Sequence, residues 1–166
     1  MRLTIAMLVL GTAICCCDVA RADTAAALDR LCGRADLAPI VDAASRRHGV
    51  RPLMLAVLMA SESTCREDAV NPVTHALGLF QILTTGSANP AHLEPAALLD
   101  PETNADLGAA HLARLLRLCG TFGGAVHIFH GYRRCSDWRE DKHARKVVGM
   151  LASLRRWLRM QEGRTS

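Results

Sequence analysis

The chain has 166 residues, of which 50% are apolar, 4% aromatic and 22% charged, and its formal net charge is +4. This apolar content excludes a disordered chain, and the length suits one compact domain with its own core rather than two. The apolar residues are mainly Ala and Leu, which are good helix formers, and β-branched residues are few. The composition therefore predicts an all-α protein.

The N-terminal segment has the pattern of a secretory signal peptide. A charged start, Met1-Arg2, precedes an apolar run from Leu3 to Cys15, and Ala20-Arg21-Ala22 forms a small-x-small cleavage site. A membrane anchor is the alternative, but the run is shorter than the roughly 20 apolar residues that a spanning helix needs. We therefore expect residues 1–22 to be removed on export and the remaining chain to have no membrane span.

Removal of this segment leaves an even number of cysteines: Cys32, Cys65, Cys119 and Cys135. In a chain that matures in an oxidising compartment, four cysteines predict two disulfides. A metal site built from His127, His130 and Cys135 is the alternative, but a structural site usually shows paired ligands such as Cys-x-x-Cys. The sequence therefore predicts disulfides, with no metal and no cofactor.

Three helices have clear start and stop signals. Residues 37–48 carry apolar side chains on one face and end before Gly49, a typical position after a helix. A run of apolar residues beginning at Pro52 predicts a buried helix that ends near Ser63. Residues 101–119 keep a 3.6-residue apolar period up to a glycine, which predicts the third helix.

A polar segment lies between the second and third of these helices, and a basic segment forms the C-terminal part of the chain. Residues 64–99 are rich in Asn, Pro, Thr, Gly and Ser, which predicts a long ordered loop with one or two short helices. A short apolar helix is expected over residues 125–132, and an amphipathic one over residues 138–160. From Arg133 onward the chain has ten basic and four acidic residues. We therefore expect a domain over residues 23–135, with a basic helical segment, residues 136–166, packed on it or appended to it.

The predicted helix lengths restrict the disulfide pairing. If residues 105–119 and 122–132 form a helical hairpin, Cys135 lies roughly 15 Å or more from Cys119, because each helical residue advances the chain by about 1.5 Å. A disulfide needs Cα atoms about 4.4 to 6.8 Å apart. We therefore expect Cys32 and Cys65 each to pair with one of the other two cysteines, in either arrangement.

One carboxylate, Glu62, comes at the end of the predicted buried helix and just before a polar loop. There its carboxyl group would be partly desolvated, and desolvation favours the uncharged form that a general acid needs. The alternative is an ordinary solvated glutamate near a helix end.

Four short elements follow one another around this glutamate. They are Gly49-Val50-Arg51-Pro52 with its apolar run, Glu62-Ser63, Gly78-Leu79-Phe80-Gln81-Ile82, and the spaced set Asn104, Gly108 and Leu112. Their order and separations over residues 40–131 resemble the lytic transglycosylase catalytic domain of the goose-type lysozyme superfamily. The resemblance implies an all-α lysozyme-like domain with Glu62 as the catalytic residue.

The resemblance also assigns expectations to the neighbouring residues. Gln81 is a candidate sugar ligand because an amide both donates and accepts hydrogen bonds, although it can equally brace its loop. Ser63 can hydrogen-bond Glu62 or cap the helix end. Gly78, Asn104 and Gly108 are structural residues of the motif.

The last element departs from the family pattern. Phe129-His130-Gly131 stands where the family has Tyr-Asn-x-Gly, so Phe129 and His130 are candidate substrate-binding residues without the tyrosine hydroxyl. Tyr132, three residues after Phe129, is the candidate that replaces this hydroxyl.

The implied reaction needs only one protein carboxylate. Glu62 would protonate the oxygen between N-acetylmuramic acid and N-acetylglucosamine in peptidoglycan and then act as base while the muramic C6 hydroxyl closes a 1,6-anhydro ring. Most glycosidases use two carboxylates, so Glu67 and Asp68 are the candidates for a second one. A hydrolytic muramidase is the alternative outcome.

The resemblance also implies a location and partners. We expect a bacterial periplasmic protein that acts on glycan strands, and small members of the family often open the wall for secretion, conjugation or pilus machines. The basic C-terminal segment is a candidate docking surface for such a machine. The alternatives are a scaffold that binds glycan without cleaving it, and a membrane-active basic helix after Arg133. Nucleic acid is not an expected partner of an exported chain.

Overall fold

The computed structural model describes residues 16–164, with side chains from residue 23 onward. Within this range the chain forms seven α-helices: α1 Cys16–Cys32, α2 Ala38–His48, α3 Pro52–Ser63, α4 Pro95–Leu98, α5 Pro101–Cys119, α6 Phe122–Phe129 and α7 Lys142–Glu162. Two 3-10 helices lie at Ala35–Leu37 and Cys135–Arg139. The described residues contain isolated β-bridges but no strand. The predicted all-α class is therefore confirmed.

Helix α3 is the centre of the core. Every residue from Leu55 to Met59 is fully buried, and α1, α2 and α7 pack around it. Pro52 begins this helix, where its missing N–H has no intrahelical partner to lose. A helix that is apolar nearly all round has no solvent face, so the sequence prediction of a buried helix is confirmed.

Capping residues end most helices where the sequence predicted. Gly49 and Gly120 follow α2 and α5 with left-handed backbones, at φ 65° and 67°. The Asp100 side chain accepts a hydrogen bond from the Thr103 amide at 2.8 Å and begins α5. Helix α6 is displaced, because the Thr121 hydroxyl caps it three residues earlier than expected. The last predicted helix is likewise split into a 3-10 turn and α7.

Helix α1 carried no sequence prediction, yet it supplies core residues. Ala27 and Leu28 are fully buried, and the Thr24 hydroxyl donates to Asp42 Oδ1 of α2 at 2.7 Å. The expected leader covers residues 1–22, of which residues 1–15 lie outside the described range. Its removal after Ala22 stays a prediction.

The disulfides join Cys32 to Cys65 and Cys119 to Cys135. The four cysteines expected to form disulfides do so, but the expected pairing is wrong. Helix α6 ends at Phe129, and the chain then turns back so that the 3-10 helix at Cys135 packs against the first turn of α6. The Cα atoms of Cys119 and Cys135 are therefore only 5.4 Å apart. The expected pairing was wrong because it assumed that the chain continues away from Cys119 up to Cys135, whereas it turns back after α6.

Helix α7 packs on α6, α3 and α1. Its buried residues recur at helical spacing and face the core: Ala144, Val147, Leu151, Leu154 and Leu158. Between residues 16 and 164, no helix combines the length and apolar content of a membrane-spanning segment.

Candidate active site

A buried asparagine holds the glutamine segment, residues 78–82, against helix α5. Asn104 is fully buried, and its side-chain oxygen accepts a hydrogen bond from the Phe80 amide at 2.7 Å. Its side-chain nitrogen donates to the carbonyls of Leu77 at 2.9 Å and Leu98 at 2.6 Å. One side chain therefore satisfies three backbone groups, two of them at Leu77 and Phe80 and the third at the last residue of α4.

Two glycines allow this close packing. A Cβ on Gly78 would lie 2.4 Å from the Asn104 amide nitrogen, and Gly78 has a φ of 71°. A Cβ on Gly108 would lie 2.4 Å from Cγ of the Phe80 ring. Both positions therefore require glycine, and Gly78, Asn104 and Gly108 together join the segment to α5 as one packed unit.

Glu62 lies at the penultimate position of α3, and its side chain is only 11% exposed. Its Oε1 atom is buried and has no hydrogen-bond partner among the described residues. The imidazole of His143 faces it, with Nε2 at 3.7 Å from Oε1. The carboxyl group is thus held at the edge of the core, as the sequence predicted.

The residues next to Glu62 connect it to the glutamine segment. The buried Ser63 hydroxyl donates to the Leu79 carbonyl at 2.9 Å and accepts from the Arg66 amide at 3.1 Å. The Gln81 side-chain nitrogen donates to the carbonyl of Gly78 at 3.0 Å. Both side chains therefore brace backbone, and their predicted contacts with substrate stay predictions.

A groove of about 470 Å³ opens beside Glu62. Its lining comes from the end of α3 and the following loop: Glu62, Ser63, Thr64, Arg66, Ala69, Val70, Asn71, Pro72 and Gln81. Among the described residues, Glu62 is the only carboxylate in this lining. Glu67 instead pairs with Arg34 at 3.2 Å, and Asp68 is exposed and lies outside the lining.

Aromatic and imidazole rings from residues 127–132 stack with one another and with His143, the neighbour of Glu62. The His130 ring lies 4.1 Å from the His143 ring and 6.2 Å from the Tyr132 ring, measured between centroids. Tyr132 also stacks on His127 at 4.1 Å, while Phe129 meets the edge of His111 at 5.1 Å. Of the predicted residues 129–132, His130 therefore lies beside both Glu62 and His143 of α7, Tyr132 stacks on His130, and Phe129 packs on His111.

Sequence reasoning missed the contribution of α7. Asp141 caps this helix by accepting from the His143 amide at 2.8 Å, and its other oxygen contacts His127 Nδ1 at 2.8 Å. Both side chains of the His127 and Asp141 pair are 5% exposed. Burial alone would raise the pKa of Asp141, but the hydrogen bonds from His127 and from the helix amides outweigh it and lower the pKa. An acidic residue directly before an amphipathic helix was the available signal for this cap.

His111 of α5 lies beneath Phe129. Its Nδ1 accepts a hydrogen bond from the Arg114 guanidinium at 3.1 Å, since a guanidinium can only donate. Burial and the neighbouring Arg114 charge lower the pKa of His111 to about 4. His111 is therefore a neutral packing residue at physiological pH.

Comparisons with known proteins agree with this geometry. The sequence pattern of the Transglycosylase SLT domain family matches residues 39–142, from the start of α2 to the first residue of α7. No curated protein matches the chain. The match covers more than half of the chain, and it includes Glu62, the glutamine segment and the Asn104 and Gly108 positions that hold it. The chain therefore belongs to the Transglycosylase SLT domain family, with its lysozyme-like all-α fold.

Proposed function

We propose that this protein is an exported lytic transglycosylase that cleaves peptidoglycan between N-acetylmuramic acid and N-acetylglucosamine. Membership of the family supports a transglycosylase-type enzyme with peptidoglycan as its substrate. The observation that carries the proposal is the position of Glu62, a largely buried carboxyl group that is the only acid lining its groove between residues 23 and 164.

The reaction uses Glu62 twice. In its protonated form the carboxyl group donates a proton to the glycosidic oxygen, and the bond from that oxygen to the anomeric carbon of muramic acid breaks. The C6 hydroxyl of the same sugar then attacks the anomeric carbon, and the Glu62 carboxylate takes up the hydroxyl proton. The products are a 1,6-anhydro-muramic end and a free N-acetylglucosamine hydroxyl, and the enzyme returns to its protonated state.

A single acid suffices for this chemistry because the substrate supplies the nucleophile. Ordinary glycosidases place two carboxylates on either side of the bond. The part of the chain that the structure describes adds no second carboxylate to the lining of the groove, which favours the intramolecular reaction. Backbone bracing by Ser63 and Asn104 keeps the groove wall rigid, so little ordering is needed when substrate binds.

We expect Glu62→Gln to lose at least about 100-fold in the rate of wall cleavage, because an amide cannot transfer the proton. The assay is release of soluble muropeptides from purified sacculi, identified by mass spectrometry. The matched control is Glu102→Gln, which changes an exposed glutamate in the first turn of α5 and should retain the wild-type rate. Equal cleavage by wild type and Glu62→Gln would contradict the assignment.

The form of the products separates a lyase from a hydrolytic muramidase. Digestion in ¹⁸O-labelled water places no label on a 1,6-anhydro end, because the ring closes with an oxygen of the sugar itself. A muramidase instead produces labelled reducing ends. Labelled reducing ends as the major product would replace the lyase assignment with the hydrolase.

A second candidate function is a scaffold that binds glycan without cleaving it. Phe129 at the motif tyrosine position favours it, because a phenylalanine has no hydroxyl with which to orient Glu62. Sedimentation with sacculi measures binding independently of turnover. Retained binding, with equally negligible cleavage by wild type and Glu62→Gln, would support the scaffold.

We further propose that the protein works in the periplasm and opens the wall locally for a secretion, conjugation or pilus machine. The signal-like N-terminal sequence, the disulfides and the basic face of α7 support this role. Processing after Ala22 is tested by sequencing the N-terminus of the protein recovered from the periplasm. A mature protein that begins at Met1 would contradict export by cleavage.

A further inference from the structure

Glu62, His130 and His143 form a cluster of metal-ligating side chains. They come from the end of α3, the residue after α6 and the first turn of α7. One ligand atom from each of the three lies within 4.8 Å of the other two. Within this cluster Glu62 Oε1 and His143 Nε2 are 3.7 Å apart.

Two of these atoms are buried and unsatisfied. Glu62 Oε1 and His143 Nε2 each lack a hydrogen-bond partner among residues 23–164. Leaving a buried polar atom unpaired destabilises the folded chain, so two such atoms that face each other favour a shared partner between them. A cation placed between a carboxylate oxygen and a neutral imidazole nitrogen satisfies both, because both atoms offer lone pairs.

The donor set favours a transition metal over calcium or magnesium. Two imidazole nitrogens and one carboxylate oxygen are typical of zinc sites with an open fourth position, whereas Ca²⁺ and Mg²⁺ prefer oxygen ligands. Zinc bonds of about 2.1 Å place neighbouring ligand atoms about 3.4 Å apart in a tetrahedral site. The 3.7 Å separation is already close to this value, and His130 is exposed, so its ring can rotate inward.

The surrounding structure holds two of the ligands in place. The Asp141 side chain accepts a hydrogen bond from the His143 amide and so fixes the first turn of α7. Glu62 lies near the end of α3, whose residues 55–59 are fully buried. Only His130 must move, and its present stacking on His143 at 4.1 Å already keeps it beside the cluster.

We propose that Glu62, His130 and His143 bind one Zn²⁺ ion, and that the ion inhibits the enzyme. A metal-bound Glu62 is held as the carboxylate, so it has no proton to donate to the glycosidic oxygen. The inhibitory consequence rests on the proposed lytic function, whereas the binding site does not. His143 lies just beyond the matched family range, so this site depends on the packing of α7.

The binding test titrates ZnCl₂ into tag-free, disulfide-bonded protein by calorimetry. We expect one ion per chain, and we expect Glu62→Gln, His130→Ala and His143→Ala each to weaken binding by at least about tenfold, because each removes one of three ligands. His92→Asn is the matched control, since it removes an exposed loop histidine and should leave the affinity unchanged. Equal zinc affinity in wild type and His130→Ala, or no saturable binding, would overturn the proposal.

Two further measurements make the result specific. Cobalt substitution should give the visible absorption of a four-coordinate ion in wild type, and His143→Ala should abolish it. Thermal melting checks that each variant is folded. His130→Ala is the variant least expected to disturb folding, because His130 is exposed. An octahedral cobalt spectrum in the wild type would contradict the three-residue tetrahedral site.

Activity assays separate the failure of this site from the failure of the proposed function. Saturating Zn²⁺ should suppress muropeptide release by wild type, and a chelator should restore it. If the chelated protein never cleaves sacculi while the three ligands bind zinc, the metal site stands and the lytic function fails. Cleavage that continues with zinc bound at these residues would overturn the inhibitory role.

Discussion

At the scale of single residues, Gly108 and Gly149 differ in what surrounds them. A Cβ on Gly108 would enter the Phe80 ring, whereas one on Gly149 in α7 meets nothing within 4 Å. We expect Gly108→Ala to lower the free energy of unfolding by about 1–3 kcal/mol through overpacking. Gly149→Ala should raise it by up to about 1 kcal/mol, because alanine is the better helix former. Urea unfolding measures both, and equal effects of the two changes would contradict the close contact at Phe80.

His111 should make the stability depend on pH. Burial lowers its pKa from 6.5 to about 4, so the unfolded chain takes up a proton first as the pH falls. The free energy of unfolding should therefore decline between about pH 6.5 and pH 4, by about 3 kcal/mol. His111→Gln should remove this part of the slope, since the amide does not titrate.

Thermal or urea unfolding across this pH range compares wild type with His111→Gln. The matched control is His92→Gln, which replaces an exposed histidine and should keep the wild-type slope. A slope that is the same in wild type and His111→Gln would show that His111 is protonated equally in the folded and unfolded chain.

At the scale of elements, the attachment of α7 depends on Asp141. Asp141→Ala removes the helix cap and leaves His127 Nδ1 buried without its acceptor, so we expect a loss of about 2–4 kcal/mol in the free energy of unfolding. Asp141→Asn keeps a capping oxygen and should lose less. Because the pKa of Asp141 is lowered from 3.8, its contribution is present at neutral pH and declines only as the pH falls below about 4.

Denaturant unfolding at neutral pH tests this element, with Asp137→Ala as the control. Asp137 is an exposed acid in the preceding 3-10 helix, so its removal should change stability little. Similar losses for Asp137→Ala and Asp141→Ala would contradict a specific role of the cap.

Local signals predicted the elements well where capping residues are strong. Pro52, Gly49 and the Asp100-Pro101 pair mark helix ends through their own backbone and side-chain chemistry, and those ends were found within a residue or two. Helix α1 was missed because its apolar residues are only weakly confined to one face. Which of them are buried is decided by the packing of α1 on α3. The early start of α6 was missed because Gly123 and Gly124 are typical of a loop. Their signal concealed the helix cap that Thr121 provides just before them.

At the scale of the whole molecule, some residues of the candidate site belong to local sequence motifs, whereas others reach the site only through long-range packing. Glu62, the glutamine segment, Asn104 and Gly108 were found because they form ordered motifs within one stretch of chain. His143 and Asp141 were missed because they reach the site only through the packing of α7 on α6 and α3. The disulfide pairing was wrong for a related reason, since the return of the chain after α6 is a long-range contact that helix lengths do not contain.

The two disulfides hold different parts of this arrangement. Cys32–Cys65 joins the end of α1 to the loop after Glu62, and Cys119–Cys135 joins the end of α5 to the 3-10 helix before α7. Their sequence separations are 33 and 16 residues, for which loop-closure entropy gives a stabilisation of about 4 and about 3 kcal/mol. We expect the Cys→Ala pair at 32 and 65 to lose slightly more stability than the pair at 119 and 135.

Urea unfolding of the two double variants measures these losses, and a peptide map under non-reducing conditions identifies the bridges directly. The map should contain one peptide joining Cys32 to Cys65 and another joining Cys119 to Cys135. The variant at 119 and 135 should also loosen the start of α7, because Asp141 comes only six positions after Cys135. Faster amide exchange at residues 142–147 in this variant, with unchanged exchange in the variant at 32 and 65, is the expected result. A bridge between Cys119 and either Cys32 or Cys65 would contradict the packing of α7 against the site.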